Sequence, residues 1–279
     1  MTVRTVKLPG GEEIPAIGQG TWHFAERSAR RDAEVRSLRA GLDLGLSVID
    51  TAEMYADGAA EELTGEAIAG RRDEVFLVSK VLPFHATRSG TVRACEASLR
   101  RLGTDRLDLY LLHWPGAVPL EETLAGFADL MAAGLSRYWG VSNFDTSDMA
   151  ALVSLPGGNA VTTNQVLYNL TRRGPEYDLL PWCRERGIPI MAYSPVEQGR
   201  LLGAPALAEV ARRHDATPAQ VALAWAIRDG DVCAIPRASD PDHVRENAAA
   251  MDLALTDADL ADLDAAFPPP RHKVPLEVL

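Results

Sequence analysis

Short apolar runs recur along the 279-residue chain, and most of them end on a residue able to carry chemistry. The run ends are Asp50, Lys80, His113, Ser142, Gln165, Tyr193 and Pro236. They are spaced by roughly 30 residues, the length of one strand and one helix. Apolar residues at helical spacing fill the intervals. With Ala16–Trp22 as the first run, the pattern predicts an α/β fold in which eight parallel strands close into a (β/α)8, or TIM, barrel.

The two ends of the chain add elements to this repeat. Val3–Leu8 and Glu13–Pro15 flank a Gly-rich turn and predict an N-terminal β-hairpin. Asp242–Met251 and Asp257–Ala265 predict extra C-terminal helices before an irregular tail. No linker or low-complexity segment divides the chain, so we expect a single domain over residues 1–279.

Charge and cysteine usage limit the partners and the compartment. The formal net charge of −11 argues against nucleic acid or an anionic membrane as a partner, because both need a basic face. The first seven residues lack the apolar region of a signal peptide, and no run is long enough to span a membrane. Cys95, Cys183 and Cys233 lack metal or dithiol spacing. We expect a cytoplasmic monomer without a bound metal.

Four residues at predicted strand ends form a candidate catalytic set: Asp50, Tyr55, Lys80 and His113. In such barrels functional side chains lie where strands end and loops begin. A free tyrosine, with a pKa of about 10, is a poor acid–base group at neutral pH. We expect Lys80 to lower the pKa of Tyr55, Asp50 to hold Lys80 in place, and His113 to donate to a carbonyl oxygen.

Each of these residues also has a simpler interpretation. A single Tyr or His at a strand end is more often structural, and an Asp/Lys pair is often only an ion pair. Lys80 could alternatively form a Schiff base, as in an aldolase-like barrel. The occurrence of all four residues at separate strand ends or following loops favours proton transfer to a carbonyl group.

Polar residues at the later strand ends indicate a second part of the site. Ser142, Asn143 and Gln165 follow apolar runs, and burying them is costly unless they bond a ligand or the barrel itself. The segment Ser239-Asp240-Pro241 predicts a helix start, which together with Arg237 suits an anion. The chain has no Gly-x-Gly-x-x-Gly fingerprint, so a Rossmann fold is not predicted.

Several stretches resemble the successive signatures of the aldo-keto reductases. They are Ile49-Asp50-Thr51-Ala52-Glu53-Met54-Tyr55, Val78-Ser79-Lys80-Val81, Asp108-Leu109-Tyr110-Leu111-Leu112-His113-Trp114-Pro115, Trp139-Gly140-Val141-Ser142-Asn143-Phe144, Thr163-Asn164-Gln165-Val166-Leu167-Tyr168, Met191-Ala192-Tyr193-Ser194-Pro195 and Ile235-Pro236-Arg237. The resemblance covers nearly the whole chain and is closest to a bacterial methylglyoxal-reductase-like branch. It implies a TIM barrel that reduces aldehydes and ketones to alcohols with NADPH.

The resemblance also implies which residues hold the cofactor. Ser142, Asn143 and Gln165 would bind the carboxamide, and Tyr193 would stack on the nicotinamide ring. The full set is Gly20, Thr21, Asp50, Ser142, Asn143, Gln165, Tyr193, Ser194, Pro195, Arg237, Ser239, His243, Glu246 and Asn247. The family commonly has lysine where this chain has Arg237, and arginine where this chain has His243. Asp240 and Asp242 add negative charge nearby, so we expect NADPH to be preferred modestly and NADH to remain possible.

The expected substrate is a small carbonyl compound, such as a 2-oxoaldehyde. The residues expected around it are Trp22, Tyr55, Phe84, His113 and Trp114. Trp22, Phe84 and Trp114 follow strands one, three and four. They would form aromatic walls, although they could equally cover the barrel top. Some members of the family serve as redox-sensing regulatory subunits that bind cofactor and turn over slowly, and this function is the alternative.

Overall fold

A closed ring of eight parallel strands forms the centre of the protein. The computed structural model describes residues 4–279. The ring strands are β3 (Gln19–Gly20), β4 (Val48–Asp50), β5 (Phe76–Val81), β6 (Leu107–Leu112), β7 (Ser136–Ser142), β8 (Asn164–Leu167), β9 (Ile190–Tyr193) and β10 (Val232–Ala234). Each strand pairs with the next in sequence order, and a parallel bridge between Ile17 and Ala234 joins the first region to the last. The predicted (β/α)8 barrel is confirmed.

Helices alternate with the strands around the outside of the ring. They are α1 (Arg31–Asp43), α2 (Ala59–Ile68), α3 (Arg88–Leu102), α4 (Leu120–Ala132), α5 (Thr146–Ser154), α6 (Leu179–Arg184), α7 (Pro205–Arg213), α8 (Pro218–Ala226), α9 (Pro241–Ala249) and α10 (Asp257–Ala266). Buried apolar side chains of the strands and helices form the core between the two layers. No helix in the part of the chain described by the structure is long and apolar enough to cross a membrane.

The first ring strand is shorter than the predicted Ala16–Trp22. The backbone of Gly18 still donates to the carbonyl of Ala234, but the regular ladder covers only β3. A Cβ atom on Gly18 would lie 2.8 Å from the Cβ of Val48, so the chain approaches its neighbour too closely for any larger residue. The ring therefore closes through a short strand that glycine permits.

An N-terminal hairpin covers the amino end of the ring. Its strands are β1 (Thr5–Lys7) and β2 (Glu13–Pro15), which pair antiparallel as predicted. Val3, where the predicted first strand began, lies outside the described residues. At the same end the buried carboxylate of Asp108 accepts from Arg72, Arg137 and the backbone of Leu77. Charged groups at this end of a barrel serve stability, so the chemistry is expected at the opposite end.

Candidate active site

The four candidate catalytic residues lie together at the carboxyl ends of neighbouring strands. Asp50 ends β4, Lys80 is the last residue but one of β5, and His113 directly follows β6. Tyr55 begins a short 3₁₀ turn between β4 and α2. The ring geometry therefore brings together side chains that are far apart in sequence.

A buried lysine stands at the centre of the cluster. Lys80 has no exposed surface, and its Nζ donates to Asp50 Oδ2 at 2.7 Å, to the Thr51 carbonyl at 2.9 Å and to Tyr55 Oη at 3.0 Å. An ammonium has three donors, and all three are used. Burial lowers the pKa of Lys80, but the neighbouring Asp50 and Tyr55 outweigh that effect and raise the pKa above its ordinary value. Lys80 is therefore a charged ammonium.

The pKa of Tyr55 differs from the expectation drawn from the sequence. Burial raises this pKa most strongly, the Lys80 ammonium lowers it, and the Asp50 carboxylate raises it again. The result is a pKa above the ordinary value of 10.0. The effect assigned to Lys80 has the expected sign, but the expected net lowering is wrong because the depth of burial dominates. Tyr55 is therefore a protonated donor at neutral pH.

Asp50 is fixed by two partners on opposite sides. Its Oδ2 accepts from Lys80, and its Oδ1 accepts from Gln165 Nε2 at 2.8 Å. Asp50 is only 2% exposed, so both oxygens must be satisfied within the protein. Gln165, which the family resemblance assigned to a ligand, thus also holds the carboxylate that holds Lys80. Its amide oxygen remains available as an acceptor.

His113 packs beside Tyr55 and is electrically neutral. The two rings meet edge to face with centroids 5.8 Å apart. Burial and the nearby Lys80 ammonium lower the pKa of His113 to about 2, because both disfavour a second positive charge. His113 Nδ1 is buried without a partner among the described residues. We therefore assign the single ring proton to Nε2, where the imidazole is a hydrogen-bond donor.

Strained backbone is concentrated at this end of the barrel. Among residues 4–279, nine residues other than glycine have positive φ, and all except Asp215 lie in loops that follow ring strands. The eight are His23, Ala25, Ala56, Asp57, Asn143, Ser194, Glu197 and Gln198. Such conformations cost roughly 1–3 kcal/mol each and persist only where the surroundings enforce them. The loops at the barrel mouth are therefore built to hold particular shapes.

The predicted carboxamide-binding residues are bonded to one another. Ser142 Oγ donates to the Gln165 carbonyl at 2.8 Å, and Asn143 Nδ2 donates to the His113 carbonyl at 3.1 Å. Tyr193 Oη donates to Asn143 Oδ1 at 2.9 Å. Groups of the barrel thus bond part of these polar side chains, which was the alternative to a ligand considered from the sequence. These bonds also fix the side chains along one wall of the mouth.

Other predicted cofactor residues help to shape the mouth. The Thr21 hydroxyl donates to the Asp50 carbonyl at 3.0 Å, and a Cβ on Gly20 would lie 2.8 Å from the Ile235 carbonyl oxygen. Ser194 and Pro195 begin the loop after β9, where the Ser194 carbonyl accepts from Asn169. All of these residues lie at the predicted end of the ring.

The same loop contains a buried carboxylate that sequence reasoning missed. Glu197 is 4% exposed and bonds Asn169 Nδ2 at 2.8 Å, Arg172 Nη2 at 3.0 Å and Arg200 Nη2 at 3.0 Å. Asn169 and Arg172 lie 28 and 25 positions before Glu197, so no local sequence pattern predicts the cluster. The cluster fixes the backbone around Ser194 and Pro195.

The start of α9 carries the predicted anion-binding residues. Asp240 caps the helix as predicted, its side chain accepting from the backbone of Asp242 at 2.9 Å. Asp242 in turn pairs with Arg245, which compensates part of the acidic charge. His243 lies exposed on the first turn, Glu246 is half-buried and Asn247 is buried on the same helix.

Two arginines at this helix start have no ion pair among residues 4–279. Arg237 lies over the ring of Phe24, with 5.5 Å between the guanidinium carbon and the ring centroid. Arg30, from the segment before α1, donates to Ser239 Oγ at 3.1 Å. Sequence reasoning missed Arg30, because 209 positions separate it from Ser239. Two guanidinium groups beside a helix start form a donor set suited to a phosphate.

The aromatic residues expected around the substrate, Trp22, Phe84 and Trp114, are partly arranged as predicted. Trp114 packs against His113 with ring centroids 4.9 Å apart, and Trp22 stacks on His23 at 4.1 Å. Phe84 is 67% exposed, so it does not form a closed wall. The tail after Phe267 reaches the mouth as well, since the backbone of Leu279 donates to Tyr193 Oη at 3.4 Å. The tail therefore borders the site.

The cysteines take no part in this site. All three are buried and free, and burial raises the pKa of each thiol to about 12. Buried thiols with so high a pKa are unreactive. Within residues 4–279, no group of three or more His, Cys, Asp or Glu side chains is placed to hold a metal ion.

Comparisons with known proteins find close matches along the whole chain. The model of the aldo/keto reductase family matches residues 16–267. Methylglyoxal reductase YeaE of Escherichia coli (strain K12) is 52% identical over 284 aligned positions, which cover 100% of both chains. Two structures of an aldo/keto reductase from Klebsiella pneumoniae, one with NADP and acetate and one with NADPH, are 52% identical and match 100% of both chains with TM-scores of 0.97 and 0.98. The matched region includes every strand end described above.

The neutral state of His113 can be tested directly. Because burial and Lys80 lower the pKa of His113 to about 2, the ring should not titrate near neutral pH. We expect its Cε1 proton resonance, assigned by comparison with a His113→Asn variant, to stay constant as the pH falls from 8 to about 5. Free imidazole in the same buffer serves as the reference for a ring that titrates. A His113 transition in the range of an ordinary histidine would contradict the assignment.

Proposed function

The chain belongs to the aldo/keto reductase family, and we propose that it reduces small aldehydes and ketones to alcohols with NADPH as its cofactor. The observation that carries the proposal is the bonding of the buried Lys80 ammonium to both Asp50 and Tyr55. This arrangement places a protonated phenol beside a neutral imidazole at the barrel mouth.

The phenol of Tyr55 supplies the proton in the proposed reaction. NADPH, when bound, supplies a hydride to the carbonyl carbon, and negative charge then develops on the carbonyl oxygen. Tyr55 donates its proton to that oxygen, and the Lys80 ammonium stabilises the phenolate that remains. The raised pKa of Tyr55 keeps the phenol protonated before the reaction. Lys80 matters mainly after the proton has left.

His113 orients the substrate and stays neutral. Its Nε2–H donates to the carbonyl oxygen, on the side of the site next to Tyr55. A protonated imidazole beside the Lys80 ammonium would place two like charges in a buried site. The lowered pKa of His113 supports its role as a hydrogen-bond donor rather than a general acid.

The residues proposed to hold the cofactor fit its two ends chemically. Gln165 has a free amide oxygen for a carboxamide N–H, and Ser142 and Asn143 lie on the same wall. At the other end Arg237, Arg30 and Ser239 offer donors to a 2′-phosphate that NADH lacks. Asp240 adds a negative charge there, so the proposed preference for NADPH over NADH is modest.

Small carbonyl compounds are the proposed substrates, including 2-oxoaldehydes such as methylglyoxal. The full-length similarity to a protein described as methylglyoxal reductase supports this choice. Trp114 offers aromatic surface beside His113, which packs against Tyr55, and Trp22 and the exposed Phe84 follow other ring strands at the same end of the barrel.

The other functions considered from the sequence are disfavoured. A Schiff base requires an unprotonated amine, whereas Lys80 is fully buried with a raised pKa and all three donors used. A regulatory subunit with slow turnover gains no support from the matched relatives, which are described as reductases. We further propose a monomer in the cytoplasm, where buried free cysteines remain reduced, and no nucleic-acid partner in view of the charge of −11.

Loss of the Tyr55 hydroxyl should slow the reaction strongly without disturbing the cofactor site. We expect Tyr55→Phe to lower kcat for aldehyde reduction by roughly 10²–10⁴-fold, because the general acid is removed while the ring remains. The affinity for NADPH, measured by fluorescence titration, should stay within about twofold of the original. Tyr177→Phe, at an exposed tyrosine, is the matched control. Near-normal turnover of Tyr55→Phe would overturn the mechanism.

Removal of the Arg237 guanidinium should weaken the binding of NADPH much more than the binding of NADH. We expect Arg237→Ala to weaken NADPH by about 10- to 100-fold, since a charge-assisted hydrogen bond contributes about 1.5–3 kcal/mol, and to change NADH far less. Dissociation constants for both cofactors provide the measurement. Arg93→Ala, at an exposed arginine on α3, is the control. Equal losses for NADPH and NADH would mean that Arg237 supports the loop or the adenine rather than the phosphate.

A further inference from the structure

The turn that follows Tyr55 has a conformation that must be held by its surroundings. Ala56, Asp57 and Gly58 have successive φ values of 48°, 52° and 90°. Residues with a side chain rarely adopt this left-handed conformation. Gly58 is also the N-cap position of α2, where no side chain caps the helix. The turn therefore depends on contacts from neighbouring elements.

Arg101 of α3 provides such a contact. A Cβ atom placed on Gly58 would lie 2.6 Å from Arg101 Cδ and 2.7 Å from Arg101 Nε, so the arginine stem packs directly on the turn. Arg101 Nε donates to Glu61 Oε2 at 2.5 Å, and Arg101 Nη2 donates to Ser98 Oγ at 3.2 Å. The side chain that covers the turn is itself fixed by hydrogen bonds.

Glu61 connects this turn to the strand of Lys80. It lies in the first turn of α2 and has no exposed surface. Its second oxygen, Oε1, accepts from Ser79 Oγ at 2.6 Å. Ser79 precedes Lys80 on β5, and successive side chains of a strand point to opposite faces. Lys80 thus points to the barrel mouth, while Ser79 points to the helices and to Glu61.

We propose that Glu61 is a positioning residue for proton transfer. Its carboxylate, bonded to Ser79 and Arg101, sets the position of the Tyr55 turn relative to Lys80. The bond between Lys80 Nζ and Tyr55 Oη, 3.0 Å long, joins two elements that the strand ladder alone does not fix, because Tyr55 lies beyond the end of β4. This inference rests on the roles proposed above for Tyr55 and Lys80. A buried carboxylate that only joined helices to the barrel would affect stability alone.

The test replaces Glu61 by glutamine, which keeps the shape of the side chain. A glutamine oxygen can still accept from Ser79, but its amide nitrogen cannot accept from Arg101, because both groups are donors. We expect Glu61→Gln to lower kcat by about 10- to 100-fold, the scale of a misplaced catalytic group, with the KM for NADPH unchanged. In alcohol oxidation, the pH at which activity appears should rise, because the Tyr55 phenolate loses part of its stabilisation by Lys80.

Two variants control for an effect on folding. Glu62→Gln changes an exposed neighbour on the same helix and should match the original protein in kcat and in pH profile. Ser79→Ala removes one bond to Glu61 with little change in volume, and should shift the oxidation profile in the same direction by a smaller amount. In a Tyr55→Phe background, Glu61→Gln should lower the residual activity no further.

The outcomes separate this inference from the proposed function. A lower melting temperature of Glu61→Gln, with kcat per folded molecule and pH profile both unchanged, would overturn the positioning role. An additional loss of activity from Glu61→Gln in the Tyr55→Phe background would overturn it too, because the effect would not pass through Tyr55. Full turnover of Tyr55→Phe alone would instead refute the proposed function itself.

Discussion

The buried Lys80 ammonium is the constraint on which the rest of the site depends. A positive charge without solvent is costly unless every donor has a partner, and Lys80 has partners in Asp50, Thr51 and Tyr55. Asp50 needs Gln165 for its other oxygen, which extends the requirement across the barrel mouth. A ring of parallel strands meets this requirement, because it delivers side chains from separate strands to one end.

The same charge also influences how the neighbouring groups ionise. Burial disfavours a proton on His113 most strongly and the Lys80 charge adds to this effect, so the imidazole stays neutral and donates from one nitrogen only. The Lys80 charge also opposes the effect of burial on the pKa of Tyr55, but does not overcome it. The site therefore holds one buried ion pair, Lys80 with Asp50, and two neutral donors, Tyr55 and His113, beside the cation. Such an arrangement suits a reaction in which negative charge appears only during turnover.

The sequence predicted much of this arrangement because strand ends recur at regular spacing. That spacing was sufficient to predict the ring and the four-residue cluster, and the segment Ser239-Asp240-Pro241 predicted the cap by Asp240. The sequence did not predict the direction in which the pKa of Tyr55 shifts, since the depth of burial depends on elements from the whole chain. Contacts between distant segments were missed for the same reason, as with Arg30 at Ser239 and Glu61 at Ser79. The roles of individual cofactor residues stay predictions.

The central claim is that the Lys80 charge favours the phenolate form of Tyr55. The most direct test is the pH dependence of alcohol oxidation by Lys80→Met, in which the side chain keeps its length and loses its charge. In the oxidation direction Tyr55 must act as a base, so activity appears as the pH rises through the pKa of Tyr55. Because Lys80 lowers that pKa, the account predicts that the rise in activity moves to higher pH in the variant. A rise at the same pH as in the original protein would contradict it, and Lys80 would then be only a structural partner of Asp50.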